Sequence, residues 1–404
     1  MLDGVKILDL SHVLGGPFAG QLLAQLGAEV YKVESPEGDY SRTVPPHWFE
    51  GDSSFFLSCN RGKKSVVLDL KHPDGKQALY DLVKAADAVI YGFAPDVPKR
   101  LGIDFDSLAK INPRIVVGEL IGLHDEPPYS KAPSFDLIVQ ALAGFMSLTG
   151  EPGRTPVRAG YQVADLAGGL YLAVGTLGAL YKALKSGKGR KVQVSLLDCQ
   201  IAMLTWQAQN YFISGEVPGA TGARHPMIAP SEVFKCSDGE WLAVSPTGEG
   251  FWREFCKVTG LPDLVTDPRF ATPKGRVENV EALAAVLGKA FAAKPAAQWE
   301  AEFFAARVPA GKVKDVGEAV GQPVVALRAM VDEVANPRTG AMMRMLGSAL
   351  KYEDGPVLGY PPALGEHTRQ VLQEVCGYSD ARLAILTERG AITVNASHSA
   401  PLGK

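Results

Sequence analysis

Several signatures that would narrow the function are missing from this sequence. It has no pair of cysteines two residues apart, no His-Glu-x-x-His helix and no Walker phosphate loop. These absences argue against a structural zinc site, a zinc protease and a P-loop nucleotidase, and no metal site is predicted. The five cysteines are scattered along the chain. An odd, dispersed set predicts reduced thiols in a cytoplasmic protein rather than disulfides.

Charge and hydrophobicity exclude two further classes of partner. The 41 basic and 44 acidic residues leave a net charge of -3, which predicts no nucleic-acid-binding surface. No basic and apolar leader follows Met1, so a cytoplasmic location is expected. The longest apolar run, residues 166–181, is glycine-rich and shorter than the about 18 residues of a spanning helix. It predicts a buried core helix and no membrane partner.

The first half of the chain alternates between apolar strands and amphipathic helices. Strands are predicted over residues 5–10, 28–33, 64–70, 88–91, 115–120 and 191–196, and helices over 18–26, 73–86 and 134–148. This alternation predicts an open, doubly wound α/β sheet. Ligands of such sheets bind beyond the carboxyl ends of the strands. The turns at 11–17, 69–72 and 92–101 are therefore expected to border one crevice.

The composition changes near residues 215–230, where glycine, proline and polar residues indicate a linker. Beyond it, two strand-like runs flank Asp238 and Gly239, which predict a hairpin turn. We interpret residues 1–214 as the first part of a large domain and 215–325 as a smaller α+β domain with its linker. Residues 393–404 are small and polar and are predicted to be a disordered tail.

Asp165 is the one acidic residue at the head of the long apolar run. Glycine within a helix costs about 1 kcal/mol relative to alanine, so Gly168, Gly169, Gly175 and Gly178 predict a close approach by a backbone or a ligand. Asp165 is either an N-cap of this helix or a nucleophile, because aspartate can form covalent intermediates. The residues alone leave both interpretations open.

Patterns along nearly the whole chain resemble the class III coenzyme A-transferases, the CaiB/BaiF family that includes formyl-CoA transferase. The matching segments keep the family's order and include the helix pair around Asp136 and Asp165. The others lie at residues 2–10, 15–19, 26–34, 60–65, 68–71, 187–190, 308–311 and 364–368. The resemblance implies a Rossmann-like large domain built from both chain ends, so that residues 326–392 return to it. It also implies an inserted small domain and a homodimer whose two subunits pass through each other as interlocked rings.

The resemblance further implies that Asp165 is catalytic. Its carboxylate would attack an acyl-CoA thioester, and coenzyme A would then pass through an aspartyl-CoA thioester to a free carboxylic acid. Coenzyme A and acyl-CoA are thus substrates, and no permanently bound cofactor is implied. The residues implied to bind coenzyme A are Val13, Leu14, Leu68, Lys71, Gly92, Phe93, Arg100 and Leu101, with Asp136 as an acidic neighbour of Asp165.

Departures from the family pattern bear on the substrates. Leu14 stands where formyl-CoA transferase has glutamine, which argues against formyl-CoA and oxalate as substrates. Ser35 stands where that enzyme has arginine, which removes one contact on the adenine side of coenzyme A. Succinyl-CoA is a frequent donor in the family, and a dicarboxylic or branched acid is the expected acceptor.

The segments Met227–Pro230 and Gly248–Gly250 are the expected moving loops.

Two other functions share the expected fold. The first is α-methylacyl-CoA racemase or epimerase activity, which needs a histidine where this chain has Phe135. Phenylalanine cannot act as a base, and the racemase glutamate falls on Gly248, one position before Glu249. The second is a non-catalytic CoA-binding protein, which fold alone does not exclude. The transferase is favoured because Asp165 is present and the racemase histidine is not.

Overall fold

The computed structural model describes residues 1–394, which form two compact units. The large unit comprises Met1–Phe145, Arg158–Phe212 and the residues from Ala326 onward. The small unit comprises Met146–Val157 and Ile213–Val325. Separate hydrophobic clusters fill the two units, so each has a core of its own.

The elements are numbered in chain order. The strands are β1 (Lys6–Asp9), β2 (Glu29–Glu34), β3 (Trp48–Phe49), β4 (Asp52–Ser53), β5 (Lys63–Leu68), β6 (Ala88–Tyr91), β7 (Val116–Ile121), β8 (Arg190–Ser195), β9 (Glu232–Lys235), β10 (Trp241–Val244), β11 (Ala310–Lys312), β12 (Val331–Ala335), β13 (Met342–Leu346) and β14 (Ile392–Thr393). The helices are α1 (Gly15–Gln25), α2 (Ser54–Ser58), α3 (Pro73–Ala85), α4 (Val97–Leu101), α5 (Phe105–Ala109), α6 (Asp136–Leu142), α7 (Phe145–Leu148), α8 (Val163–Ser186), α9 (Leu196–Met203), α10 (Trp206–Ser214), α11 (Glu249–Val258), α12 (Pro273–Glu278), α13 (Val280–Phe291), α14 (Ala296–Ala305), α15 (Val316–Val320), α16 (Pro323–Leu327), α17 (Thr368–Cys376) and α18 (Asp380–Glu388). Short 3₁₀ helices lie at Tyr40–Thr43, Tyr129–Lys131 and Pro262–Val265.

A seven-stranded sheet forms the centre of the large unit, in the order β14-β5-β2-β1-β6-β7-β8. All neighbouring strands are parallel except β14, which pairs antiparallel with β5. Ile7 of β1 stands opposite Val30 on one side and Ala88 on the other. Helices cover both faces, which explains why the central strands are buried and apolar. The predicted doubly wound α/β sheet is confirmed.

The direction of the chain reverses within this sheet. From β1 the chain adds β2 and then β5 on one side, and afterwards crosses to add β6 and β7 on the other side. The turns that follow β1 and β6 therefore both start at the carboxyl ends of the strands and lead away in opposite directions. A crevice at such a switch point is the usual ligand site of an open α/β sheet.

Two helix layers enclose the sheet. Helices α3, α17 and α18 share one buried cluster with the strands, and helices α1 and α8 share the other. The second layer depends on glycine, because a Cβ atom on Gly169 would lie 2.5 Å from the carbonyl oxygen of Gly15. A Cβ atom on Gly168 would lie 2.4 Å from Cδ2 of Leu196. The expected close backbone approach is confirmed at Gly169, whereas Gly178 has no described atom within 4 Å of that position.

Helix α8, with 24 residues, is long and apolar enough to cross a membrane by length and composition alone. Half of its most apolar window is buried inside the protein, so the predicted burial holds for one face of the helix. The helix exceeds the apolar run at 166–181 because it continues through charged residues to Ser186.

Two predicted boundaries differ from the structure. The helix predicted over 134–148 is interrupted between α6 and α7, where Gly144 has a φ of +81°. Thr393, placed in the predicted tail, instead pairs with Val67 as part of β14. The rest of that predicted tail, residues 395–404, lies outside the described residues.

The small unit is built on a three-stranded antiparallel sheet in the order β11-β10-β9. The predicted hairpin between β9 and β10 is confirmed, and Gly239 in its turn has a φ of +84°. Its core is aromatic, and Trp299 donates a hydrogen bond from Nε1 to the carbonyl oxygen of Phe291 at 3.1 Å.

Candidate active site

A cavity of about 610 Å³ opens in the crevice of the large unit, and Asp165 lies in its wall. The other walls come from four segments that follow or join the central strands. These are His12–Gly16, Gly92–Asp96, Leu120–His124 and Tyr129–Asp136. The switch point of the sheet thus brings the β1 and β6 turns to the start of α8.

A second cavity of about 180 Å³ lies beside the first. The two cavities share His12 and Phe93, whose rings meet edge to face with centroids 5.6 Å apart. The second cavity is lined further by the segments Val33–Glu37 and Leu68–Lys71 and by Leu101. Together the cavities suit an elongated ligand that passes His12 and Phe93 with one end near Asp165.

The structure brings nine of the ten predicted site residues to these two cavities. The first cavity is lined by Val13, Leu14, Gly92, Phe93, Asp136 and Asp165, and the second by Leu68, Lys71, Phe93 and Leu101. Arg100 is exposed at the end of α4, beside Leu101, and lines neither of the two.

Asp165 is the third residue of α8, and its side chain does not cap the helix. The cap comes from another helix, because Oδ1 of Asp136 accepts hydrogen bonds from the amides of Ala164 at 2.8 Å and Asp165 at 3.4 Å. Gln140 holds the other oxygen of Asp136, with Nε2 donating to Oδ2 at 2.6 Å. The interpretation of Asp165 as an N-cap is therefore wrong, because its carboxylate accepts no hydrogen bond from the first amides of α8.

The electrostatic environment of Asp165 disfavours its ionised form. Burial and, to a lesser extent, the negative charge of Asp136 raise the pKa of Asp165 to about 6. Within residues 1–394, no cation acts on Asp165 to lower this pKa. A carboxyl group with a raised pKa in the wall of a cavity is a candidate for chemistry rather than for structure.

The N-terminus of α1 also reaches the cavity. Helix α1 begins at Gly15, and Leu14 at its N-cap position has no side-chain acceptor for the first amides. A Cβ atom on Gly15 would lie 3.0 Å from the carbonyl oxygen of Asp165, so the two helix starts are in close contact. The amides of Gly15 and Gly16 and the helix dipole make this part of the wall electropositive.

His12 is a site residue that was missed from the sequence. Burial and the charge of Lys32 lower its pKa, although Asp39 and Asp9 oppose the shift, so the imidazole is neutral near pH 7. His12 could have been predicted from its position in the first turn after a buried strand. Tyr129 and Lys131, which also line the first cavity, lie in a short 3₁₀ helix, and no periodic sequence pattern predicts their position.

The two expected moving loops belong to the small unit. Gly248 has a φ of +100°, and the following Glu249 accepts a hydrogen bond at Oε1 from Nη2 of Arg276 at 2.6 Å. Movement of these loops stays a prediction. In the described part of the chain, no group of three or more His, Cys, Asp or Glu residues could hold a metal ion.

Comparisons with known proteins give one consistent family. The model of CoA-transferase family III matches residues 2–368. The chain is 39% identical to an acetyl-CoA:oxalate CoA-transferase of Acetobacter aceti, over 81% of this chain and 85% of that protein. It is 35% identical to a succinate–glutarate CoA-transferase of Agrobacterium fabrum, over 93% and 95%. The crystal structure of a CAIB/BAIF family protein from Brucella suis matches with a TM-score of 0.83 and 34% identity, over 93% of this chain and 99% of that one.

Proposed function

Since this chain belongs to family III of the CoA-transferases and is a CoA-transferring enzyme, we propose that Asp165 is its nucleophile. The observation that carries this proposal is the position of Asp165 in the cavity wall with a pKa raised to about 6. Above that pH the carboxylate is ionised, and it has no cation partner within residues 1–394 that would reduce its nucleophilicity.

The proposed reaction balances without water or an external proton. The Asp165 carboxylate attacks the thioester carbonyl, and the C–S bond breaks. The acyl group is then joined to Asp165 in a mixed anhydride, and coenzyme A is released as the thiolate. The thiolate then attacks the aspartyl carbonyl and releases the donor acid, which leaves an aspartyl-CoA thioester. The acceptor carboxylate displaces the thiolate to form a second anhydride, and the thiolate attacks the acceptor carbonyl. This last step restores the Asp165 carboxylate.

The environment of Asp165 supports this sequence of steps. Asp136 satisfies the first amides of α8, so that the carboxylate of Asp165 need not do so. The amides of Gly15 and Gly16 at the start of α1 are suited to stabilise the oxyanion that forms on the thioester carbonyl. We assign them this role together with the partial positive charge of the helix.

We propose that coenzyme A occupies both cavities. Its nucleotide would lie in the second cavity against Leu68 and Leu101, with its phosphates near Lys71 and the exposed Arg100. The pantetheine arm would pass His12 and Phe93, which both cavities share, and place the thioester at Asp165. Val13, Leu14 and Gly92 would contact the reacting end of the arm.

Racemase activity has less support. It needs a base opposite the aspartate, and the corresponding position is Phe135, which lines the first cavity and is 78% exposed. Glu249, next to the position of the racemase glutamate, is held by Arg276. Neither residue therefore offers a free acid or base for proton transfer at the α-carbon.

We propose that the enzyme acts as an interlocked homodimer in the cytoplasm, with the large unit as the CoA-binding domain. Support comes from α8, whose outward face carries a row of exposed apolar residues. Val174 is 66% exposed and Leu184 74% exposed, and Leu170 and Tyr181 lie on the same side. An apolar face of this extent is expected to be covered by a second copy of the chain.

We propose a dicarboxylic acid as the acceptor and succinyl-CoA as one donor. The two relatives are named for oxalate and for succinate and glutarate, all of which are dicarboxylates. Lys131 in the cavity wall offers a cationic contact for a second carboxylate. Leu14 argues against oxalate, so a panel of free acids with succinyl-CoA and acetyl-CoA, followed by mass spectrometry of the CoA thioesters, decides between these acceptors.

Trapping of the intermediate tests the mechanism. Incubation with acyl-CoA and hydroxylamine is expected to convert Asp165 into an aspartyl hydroxamate, which peptide mass spectrometry detects. The Asp165→Asn variant serves as the control and should give no hydroxamate. An unmodified peptide from active wild-type enzyme would contradict the role of Asp165.

A further inference from the structure

The turn between β1 and α1 holds a backbone conformation that its residue does not favour. Val13 has a φ of +69°, in the left-handed region. A β-branched residue occupies this region only where the surrounding structure holds it there. Val13 as a whole residue is 38% exposed, so its isopropyl group is packed only in part. The hydrogen bond of its amide supplies a second restraint on the backbone.

The amide of Val13 donates to a buried carboxylate. It lies 3.1 Å from Oδ1 of Asp39, which also accepts from the amide and the hydroxyl of Ser41 at 2.8 Å each. Oδ2 of Asp39 lies 2.8 Å from Nζ of Lys32, and both side chains are fully buried. Lys32 donates to the carbonyl oxygen of Ser11 at 2.9 Å. The ion pair therefore holds the turn both before and after His12.

This turn leads directly into the wall of the candidate active site. His12, Val13 and Leu14 line the cavity, and Gly15 follows in close contact with the backbone of Asp165. Asp39 lines neither cavity. A change of φ at Val13 would shift this wall and the start of α1 relative to the reacting carboxylate.

We propose that Asp39 is a positioning residue of the transfer reaction: it holds Val13 in the left-handed conformation and thereby keeps the His12–Gly15 wall in place beside Asp165. The inference rests on the proposed role of Asp165. It assigns a role to a residue that lines neither cavity and lies outside the family motifs of the sequence.

Glycine and alanine at position 13 separate this role from a general role in stability. Glycine adopts a φ of +69° without penalty, whereas alanine keeps most of the penalty and both lack the exposed isopropyl group. In Asp39→Ala, kcat is expected to fall about tenfold, equivalent to about 1.4 kcal/mol, with a smaller change in the KM for acyl-CoA. Adding Val13→Gly should restore most of kcat, and adding Val13→Ala should not.

A milder background covers the case in which Asp39→Ala does not fold. Asp39→Asn keeps an acceptor for the amide of Val13 but removes the charge that holds Lys32, so a smaller loss of kcat and a correspondingly smaller gain from Val13→Gly are expected. Equal kcat in the glycine and alanine double variants would overturn the proposal.

Crystal structures of the variants separate this inference from the proposed function. In the Asp39 variant, the φ of Val13 should change to a negative value, and this measurement requires no transferase activity. If it stays near +69°, the positioning role is wrong even where Asp165 forms the hydroxamate. If it changes while wild-type Asp165 forms none, Asp39 holds the turn, but both the proposed chemistry and the positioning role in transfer are wrong.

Discussion

The large unit contains two kinds of buried carboxyl group. Burial opposes the ionisation of Asp9, Glu34 and Asp39, yet neighbouring cations lower the pKa of all three. Their partners are Lys63, Arg42 and Lys32, at N–O distances of 2.8, 2.7 and 2.8 Å. For Asp165 burial acts in the same direction, but its neighbour is Asp136, and its pKa is raised to about 6. The paired carboxylates hydrogen-bond the turns, and the unpaired one is the proposed nucleophile.

The carboxylates in ion pairs and the proposed nucleophile lie at different depths of the same site. The ion pairs lie beneath the turn that forms one cavity wall, and Asp165 lies in the wall of the same cavity. A cation beside Asp165 would stabilise its charge but reduce its nucleophilicity. The cations that pair with the buried carboxylates Asp9, Glu34 and Asp39 therefore lie beneath the wall, and two helix N-termini lie beside Asp165.

The largest effect is expected from removing the unpaired carboxylate. Asp165→Asn should lower kcat for CoA transfer at least about a thousandfold, because the amide cannot form the anhydride. Mass spectrometry of the product CoA thioester measures the rate. Asp198 is a matched control, since it is also the third residue of its helix but is exposed. Asp198→Asn should retain activity, and equal losses in the two variants would contradict the comparison.

Removing a paired carboxylate should affect stability most. Asp9→Asn leaves Lys63 buried without its ion partner and is expected to lower the free energy of unfolding by about 3–5 kcal/mol, measured by urea denaturation. Asp74→Asn is the control, because Asp74 pairs with the exposed Arg389 on the surface. It should cost less than about 1 kcal/mol. Similar losses at both positions would show that burial of the pair is not decisive.

Asp165→Asn should also stabilise the fold. The folded pKa of about 6 exceeds the ordinary 3.8, so the ionised carboxylate destabilises the folded state at pH above 6. The variant should gain about 1–2 kcal/mol at pH 7.5, a value reduced for the partial exposure of the group. The gain should shrink as the pH falls from 6 toward 3.8. Urea denaturation at pH 7.5 and pH 5 measures it, and a larger gain at pH 5 would contradict the sign.

The smallest effect is expected at Asp136. Asp136→Asn removes the negative charge that raises the pKa of Asp165, while burial, the larger cause, remains. The acidic limb of the pH profile of kcat/KM should therefore move to lower pH by less than about 1 unit. Asparagine can still accept from the amide of Ala164, so the helix cap is retained. An upward movement of this limb would show that Asp136 does not act through its charge.

Six of the seven strands of the central sheet could be predicted, because most of them are short apolar runs between turn residues. The run at 88–91 matches β6 at both ends, since Asp87 and Gly92 limit it. The break between α6 and α7 could not be predicted, because a glycine is tolerated within an apolar helical pattern. The pairing of β14 with β5 depends on tertiary structure and leaves no local signal.

The sequence predicts which segments form the site, but it does not predict the hydrogen bonds within the site. The turns after β1 and β6 and the start of α8 were expected to carry ligand residues, and the structure brings these segments to one cavity. The cap by Asp136 was missed because it reaches Ala164, 28 residues along the chain, and so depends on how α6 packs on α8. The hydrogen bond from the amide of Val13 likewise depends on tertiary structure, because its acceptor Asp39 lies 26 residues away.

The return of the chain to the sheet has a consequence for its synthesis. Strand β5 is flanked by β14, and the amide of Val67 in β5 is bonded to the hydroxyl of Thr368, 301 residues later. On the ribosome this edge of the sheet must stay open until the segment after residue 325 emerges, by which time the whole small unit has been made. Closure of the β5 edge is therefore a late step that depends on contacts far apart in the chain, which slows folding.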